Sequence, residues 1–403
     1  MTIFKHLLTC CGISVALTTL STLAHATDTI KIGSLYPQSG ALALLGQESS
    51  RGLDLAVEML NKKGGLLGKR IDIVAADAVN PTQAVSEAKR LVSDNVVAVF
   101  GSYASGISYA ATPVTELAGV PYFELGAVAH KITNRGYKYL FRSNPNATLY
   151  GQSVVDTLDT LIAPKMGLKK DDIKIGIIHE DGPYGTEVAA AEKTKAKELG
   201  YNVVQVLPYS AKTVDLSSLI LRLKGSKVNV VLQTSYQNDS VLYFRQAKAA
   251  NFKPLITIGA GGGYSLKDTA TAVGSDIEGV FDLDFPQPSI KPDFAPGLND
   301  FLTAYEQKYK SKPQSGHSLA NYVGALAFFD IIEKAQSTDK DKIREAVLNY
   351  KKEPATSANG WGFGFGEDGQ NVSSEFYVMQ WQNNELVTIY PEKFAQKEGI
   401  YKK

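Results

Sequence analysis

The sequence predicts an α/β protein of two lobes, each built on a parallel sheet covered by helices on both faces. Three observations carry that expectation. Short apolar stretches alternate with amphipathic helical patterns from Thr29 onward. The alternation restarts after a looser stretch, RSNPNATLYGQ. A late region, 286–403, then supplies helices and a last strand for the two units to share. Strands and helices in strict alternation bury a parallel sheet between helical layers.

In the first series, IKIGSLYP (30–37) is a strand. A helix follows in SSRGLDLAVEMLNKKGG, with Leu53, Ala56, Val57 and Leu60 on one face, Ser50 as its cap and Gly64-Gly65 as its stop. KRIDIVAAD is the next strand, PTQAVSEAKRLVSDN the next helix, and VVAVFG, ISYAATPVTELAG and VPYFELG continue the pattern. The second series runs through the strand IKIGIIHE (173–180), the alanine-rich helix YGTEVAAAEKTKAKELG, then YNVVQVLPY, VDLSSLILRLKGS, VNVVLQTS, NDSVLYFRQAKAANF and KPLITIGAGGG. The late region adds the helices FLTAYEQKYK and ANYVGALAFFDIIEKAQ and a last strand near EFYVMQW.

Composition narrows the function classes. The chain has 403 residues, 44% of them apolar and 21% charged, which is material for more than one domain. Lys5, the apolar run LTCCGISVALTTL and the small-x-small triplet AHA (24–26) read as an export signal over 1–26, cleaved after Ala26. That run is too short for a membrane span, and no later segment reaches the ~20 apolar residues a span needs. The exported protein is therefore expected to be soluble. Cys10 and Cys11 both fall in the signal, so the mature chain has no thiol for a disulfide, a metal or a nucleophile. Loss of Lys5 takes the 42 basic residues to 41, against 41 acidic ones. A neutral chain of interspersed charges makes no case for nucleic acid or an anionic membrane as partner.

Catalytic signatures are missing. G-x-S-x-G, H-E-x-x-H and the phosphate loop do not occur, and GAGGGY (259–264) has Tyr264 where a dinucleotide loop needs glycine. His130, His179 and His317 have no metal-ligand spacing, so neither metal nor cofactor is expected, and the chain does not read as an enzyme. HED (179–181) reads as a solvated turn rather than a proton relay, because consecutive strand residues point in alternate directions.

The positive signals are turns at strand ends. In GSYASGIS the chain leaves a strand at Gly101 and enters a helix near Gly106, which puts Ser105 where unpaired N–H groups favour an anion. A serine there also serves as an ordinary N-cap. ELGAVAHK (124–131) repeats the architecture one strand later, offering the backbone of Gly126, Ala127 and Val128. Ligands of open α/β sheets gather beyond the carboxyl ends of strands.

The sequence resembles the periplasmic solute-binding proteins of ABC importers, in particular the branched-chain amino-acid and amide-binding (type I) group. The resemblance runs from IKIGSLYPQSGALALLGQESSRGLDLAVEMLNKKGGLLGKRIDIVAAD through NPTQAV, FGSYASG and ITNRGYKYLFRSNP to YGTE, LILRLK, FRQAKAANF and FGEDGQ. It implies two Rossmann-like lobes joined by three crossovers, 29–146 plus 286–375 and 147–285 plus 376–403, closing on a small-molecule ligand for delivery to permease subunits. It further implies that Ser105 and the backbone of Gly126, Ala127 and Val128 hold a ligand carboxylate. Tyr184 and Tyr236 would be aromatic walls from the second lobe, Tyr103 and Leu45 walls from the first, and His317 a neighbour of the pocket. The acid that pairs with a ligand amine in that group falls near Gly261, where this chain has glycine. Glu124 is the first candidate to replace it and Asp284 the second. Because a buried ammonium without a carboxylate is costly, a bulkier or flatter ligand than an aliphatic amino acid is the expectation, with Gly261–Gly263 making room. A ligand sensor for a chemoreceptor or histidine kinase, or a periplasmic enzyme, remain alternatives on the same fold.

Overall fold

The structure is a computed structural model that describes residues 29–402. The expected export signal, its cleavage after Ala26 and both cysteines lie outside the described residues. Five parallel strands, β1 (Thr29–Tyr36), β2 (Arg70–Asp77), β3 (Ala98–Gly101), β4 (Tyr122–Glu124) and β5 (Leu140–Arg142), form a sheet in the order β2-β1-β3-β4-β5. A second sheet begins with β6 (Lys174–Glu180), β7 (Asn202–Tyr209), β8 (Val230–Thr234), β9 (Ile256–Ala260) and β10 (Phe281–Asp284). After a short ladder of β11 (Lys351–Lys352) and β12 (Phe363–Gly364), β13 (Tyr377–Gln382) and β14 (Glu385–Tyr390) complete it in the order β14-β13-β10-β9-β8-β6-β7. Only β13 runs against the other strands there, so its pairings with β10 and β14 are antiparallel. The chain thus passes between the sheets three times: after β5, after β10 and before β13.

Helices cover both faces of each sheet. The first series supplies α1 (Ala43–Lys62), α2 (Pro81–Ser93) and α3 (Ser105–Ala118). The second supplies α4 (Ala147–Thr157), prolonged through a π turn at Leu158–Ile162 into α5 (Ala163–Lys165), then α6 (Pro183–Glu198), α7 (Ser217–Gly225), α8 (Gln237–Ala249) and α9 (Lys267–Val273). The late region supplies α10 (Leu298–Tyr309), α11 (Gly316–Ala335) and α12 (Lys340–Asn349). Strand alternation sorts the core: Phe100 and Phe123 pack towards α10, α11 and α12, while Val99 and Tyr122 pack towards α2 and α3. In the second sheet Ile177 and Leu232 face α4 and α6, and Ile178 and Val231 face α7 and α8. The late helices therefore close the first sheet although they follow the second in sequence. They do so by close approach: a Cβ on Gly52 of α1 would stand 2.0 Å from the Ser318 carbonyl of α11.

Four expectations change. The helix expected to be capped by Ser50 begins at Ala43, and Ser50 lies inside it, donating to the Gln47 carbonyl at 3.0 Å. The looser stretch around 142–152 contains the end of β5 and the start of α4, capped by the Asn146 side chain. The last strand is β14, which follows EFYVMQW through a tight turn with Asn383 and Asn384 at positive φ. His179 and Glu180 are buried rather than solvated. Glu180 accepts the Gly182 and Gly185 N–H groups, both at 2.6 Å, and so caps α6.

The α4–α6 contact holds a buried acid with an assignable effect. Glu192 is fully buried, and neither carboxylate oxygen has a hydrogen-bond partner among the described residues. Burial pushes its carboxyl well above the usual range. A raised native pKa means that the folded state holds the proton when the unfolded state has released it, so this contribution is complete below about pH 4.5 and is lost as pH rises towards the native pKa. Glu192→Gln is therefore expected to match the parent near pH 4. Its advantage should grow by about 1.4 kcal/mol per pH unit above that, as urea unfolding across a pH series would measure.

Candidate ligand-binding site

The carboxyl ends of β3, β4, β9 and β10 meet where the two units face each other. The space enclosed there is lined by Leu45, Tyr103, Gly126 and Val128 of the first unit, by Tyr150, Tyr184, Tyr236, Gly262, Asp284 and Phe285 of the second, and by His317 at the start of α11. The walls nearly touch. Room for the centre of a water-sized particle is about 20 Å³, about what one water needs, so admitting a solute the size of an amino acid requires the units to part. A larger hollow of about 430 Å³ opens beside Phe252, Ile256 and Phe281. It sits at the opposite ends of β9 and β10 and within one unit, away from the strand ends where α/β sheets bind ligands.

Three of the four tyrosines are anchored at their tips. Tyr103 Oη donates to the Leu42 carbonyl at 2.8 Å, Tyr150 Oη to the Leu283 carbonyl, and Tyr184 Oη to the Ala260 carbonyl. With the hydroxyls engaged, the ring faces are held towards the cavity. Tyr236 joins the walls, its ring 5.4 Å from Tyr184 and, across the gap, 6.4 Å edge-on from Tyr103. Such rings combine apolar area with restricted motion.

The turn after β4 is built differently from the expectation. Glu124 is fully buried behind it, and Oε1 accepts the N–H groups of Leu125 at 3.1 Å, Gly126 at 2.9 Å and Ala127 at 2.6 Å. Oε2 accepts from the Ser102 N–H at 3.2 Å and from the Ser108 hydroxyl. The N–H groups of Gly126 and Ala127, expected to meet a ligand carboxylate, are thus used by an internal one, and Glu124 is not free to receive a ligand amine. Burial raises its pKa, opposed by the Ala127 N–H, the Ser108 hydroxyl, the Gly126 N–H and the charge of Arg142. Arg142, its register partner on β5, donates to the Ala127 and Ala129 carbonyls at 3.1 and 2.7 Å and to Gln370 at 2.6 Å. Burial pushes that guanidinium down to about 10, still cationic at neutral pH. A carboxylate on the N–H side and a guanidinium on the carbonyl side clamp the turn, and Val128, whose N–H Glu124 does not take, is presented to the cavity.

Ser105 opens α3 as expected, but its hydroxyl accepts the Ala129 N–H at 3.1 Å and does not line the cavity in this arrangement. Ala127 also lies behind the wall. Leu45, Tyr103, Gly126, Val128, Tyr184, Tyr236 and His317 come together at the cavity. Sequence reasoning missed Tyr150 and Phe285; of the three glycines expected to make room, Gly262 does line the cavity. Asn146 as a helix cap would have placed Tyr150 on a helix, and Phe285 directly follows the second acid candidate at a strand end.

Two residues of the lining carry buried polar atoms without partners. Asp284 Oδ1 accepts the Phe285 N–H at 2.7 Å, while Oδ2 has no hydrogen-bond partner among the described residues. Both ring nitrogens of the buried His317 also lack one, and Nε2 lies 3.5 Å from Asp284 Oδ2. The glycines do not make room in the way expected. A Cβ on Gly261 would stand 2.2 Å from Tyr150 Oη, and one on Gly263 2.0 Å from Ser240 Oγ, so only Gly262 faces the cavity.

Two α/β units joined by three crossovers, with a partly unsatisfied cavity between them, have the build of a solute receptor. The comparisons place it further. The chain belongs to the periplasmic binding protein family, whose model matches residues 29–385. It is 49% identical to the Leu/Ile/Val-binding protein homolog 7 of Brucella suis over 396 residues, 98% of each chain. Among solved structures, it superposes on a leucine-binding protein of Thermotoga maritima with a TM-score of 0.78 at 22% identity, covering 89% of this chain and 97% of that one. A solute-binding protein of an R. palustris ABC transporter, in complex with 4-hydroxybenzoate, gives 0.76 at 21% identity, covering 93% and 97%.

Proposed function

We propose that this protein is a periplasmic receptor that captures an amino-acid-like solute between its lobes and hands it, unaltered, to the permease of an ABC importer. The observation that carries the reading is the cavity at the lobe junction, walled by anchored tyrosines from both units and holding buried polar atoms with no protein partner. The names of the relatives favour an amino-acid-like ligand over an aromatic acid. We take the lobes as 29–146 with 286–375 and 147–285 with 376–403, a division supported by the strand membership of the two sheets. Export would use 1–26, with cleavage near Ala26. Ser105 and the Val128 N–H are assigned to the carboxylate end of the ligand, Ser105 engaging it once the lobes have parted and closed again. Binding by closure follows if ligand contacts to both lobes favour the closed state. Two measurements test this together. Mass spectrometry of the small molecule released from natively purified protein should return an intact solute, and X-ray scattering should show the stripped protein contracting when that solute is restored. A converted product, or scattering that does not change, defeats the proposal.

Closure also has a latch. Glu187 of α6 accepts the N–H groups of His130 and, at 3.4 Å, Lys131 across the gap, with Lys131 Nζ at 3.7 Å. A charged acceptor bond of this type contributes about 1.5–3 kcal/mol, and it exists only with the units together. Glu187→Ala is expected to raise the Kd of the restored solute about tenfold or more, with the circular dichroism spectrum unchanged.

A further inference from the structure

The register of β9 and β10 sets Ala260 against Leu283, so Gly261 falls beside Asp284. A Cβ built on Gly261 would collide with Tyr150 Oη at 2.2 Å and would lie next nearest to Asp284, 3.1 Å from Oδ1 and 3.3 Å from the carboxyl carbon. The carboxylate of Asp284 thus lies beside the place that a side chain at 261 would take. Gly261 adopts φ +71°, a conformation that side-chain-bearing residues avoid, and it gives the acid of the neighbouring strand access to the cavity.

Among the described residues no donor hydrogen-bonds to Asp284 Oδ2. Tyr150 and Tyr184, which line the cavity with Asp284, donate their hydroxyls to backbone carbonyls. The Gly261 N–H donates to Asp282 Oδ1 at 3.1 Å. Asp282, two residues back on the same strand face, is fully buried, and burial together with the Asp284 charge pushes its carboxyl up. His317 Nε2 stops at 3.5 Å, beyond a good hydrogen bond. Asp284, a residue 1% exposed, therefore brings to the cavity an acceptor, Oδ2, that lacks a donor. Such an oxygen is costly to leave unmet.

We infer that Asp284 is the specificity-determining residue of this site, receiving a protonated amine of the ligand from the strand next to the one that carries Gly261. The inference rests on reading the cavity as the solute site. His317 takes no amine: it borders Tyr103 at 6.0 Å and Phe285 at 4.8 Å and fixes the edge of the acidic end.

The test is a thermal-shift and calorimetric panel on the stripped full chain. It comprises the twenty standard L-amino acids and three amine-free acids: 4-methylpentanoate, benzoate and 4-hydroxybenzoate. Stabilisation is expected from amine-bearing members, with leucine preferred over its amine-free counterpart 4-methylpentanoate by at least a hundredfold if leucine is a ligand. Asp284→Asn should weaken the best amine-bearing binder by at least thirtyfold while leaving amine-free acids unchanged or improved. Equal stabilisation by the amine-free acids, or undiminished amino-acid binding in Asp284→Asn, overturns the inference and leaves the receptor reading standing. Stabilisation by no member overturns both. The parent comparison decides the matter even if Asp284→Asn does not fold.

Discussion

Glu124→Ala is expected to produce the largest loss of stability of any single substitution proposed for this molecule. The carboxylate accepts four backbone N–H groups and one hydroxyl in a region closed to water. Alanine leaves those donors without an acceptor at about 1–3 kcal/mol each, partly offset by relaxation and entering water. It also leaves the buried Arg142 without the countercharge that favours its cationic form. A net loss of roughly 4–6 kcal/mol follows, a large share of a typical domain's stability. Chemical denaturation would measure it. A loss below about 1 kcal/mol would mean that the clamp does not hold the turn. Glu124→Gln should cost clearly less, because its amide oxygen keeps part of the N–H set. Ligand binding should fall with both, through the position of Val128 rather than through lost ligand contact.

That prediction also marks where sequence reading succeeds and where it stops. Periodicity located the strands and most helices because burial on one face is written locally, residue by residue. The placement of Tyr103, Val128, Tyr184 and Tyr236 at one cavity came from family resemblance, since it depends on which strand ends the topology brings together. The partners of Glu124 were not legible: a strand-end acid next to a Gly-Ala turn looks equally ready to serve a ligand or its own backbone. Only the positions of Ser102, Ser108 and the three following N–H groups decide it. The same holds for the missing acid near Gly261. A glycine at one position and an aspartate 23 residues later become a single feature only through the pairing of β9 with β10.

Gly261→Asp supplies the sharpest contrast, because it puts the acid where the family resemblance leads one to expect it. In this chain the substitution should destroy the site. The residue would be forced to φ +71° at a cost of about 1–2 kcal/mol. Its Cβ would enter the space of Tyr150 Oη at 2.2 Å, displacing a tyrosine whose ring stacks on Phe376 at 3.7 Å, and overpacking of this sort adds about 1–3 kcal/mol. The new carboxylate would also lie against that of Asp284 in a water-poor cavity, where like charges repel. Together these predict a loss of roughly 3–5 kcal/mol in unfolding free energy and no measurable solute binding. The companion change Gly261→Asp with Asp284→Gly removes the charge conflict but not the backbone strain or the collision with Tyr150. It should recover a minor part of the stability. Full recovery of stability and binding in the double variant would show that the two strands are interchangeable carriers of the acid, and that neither the glycine conformation nor the Tyr150 anchor constrains which of them bears it.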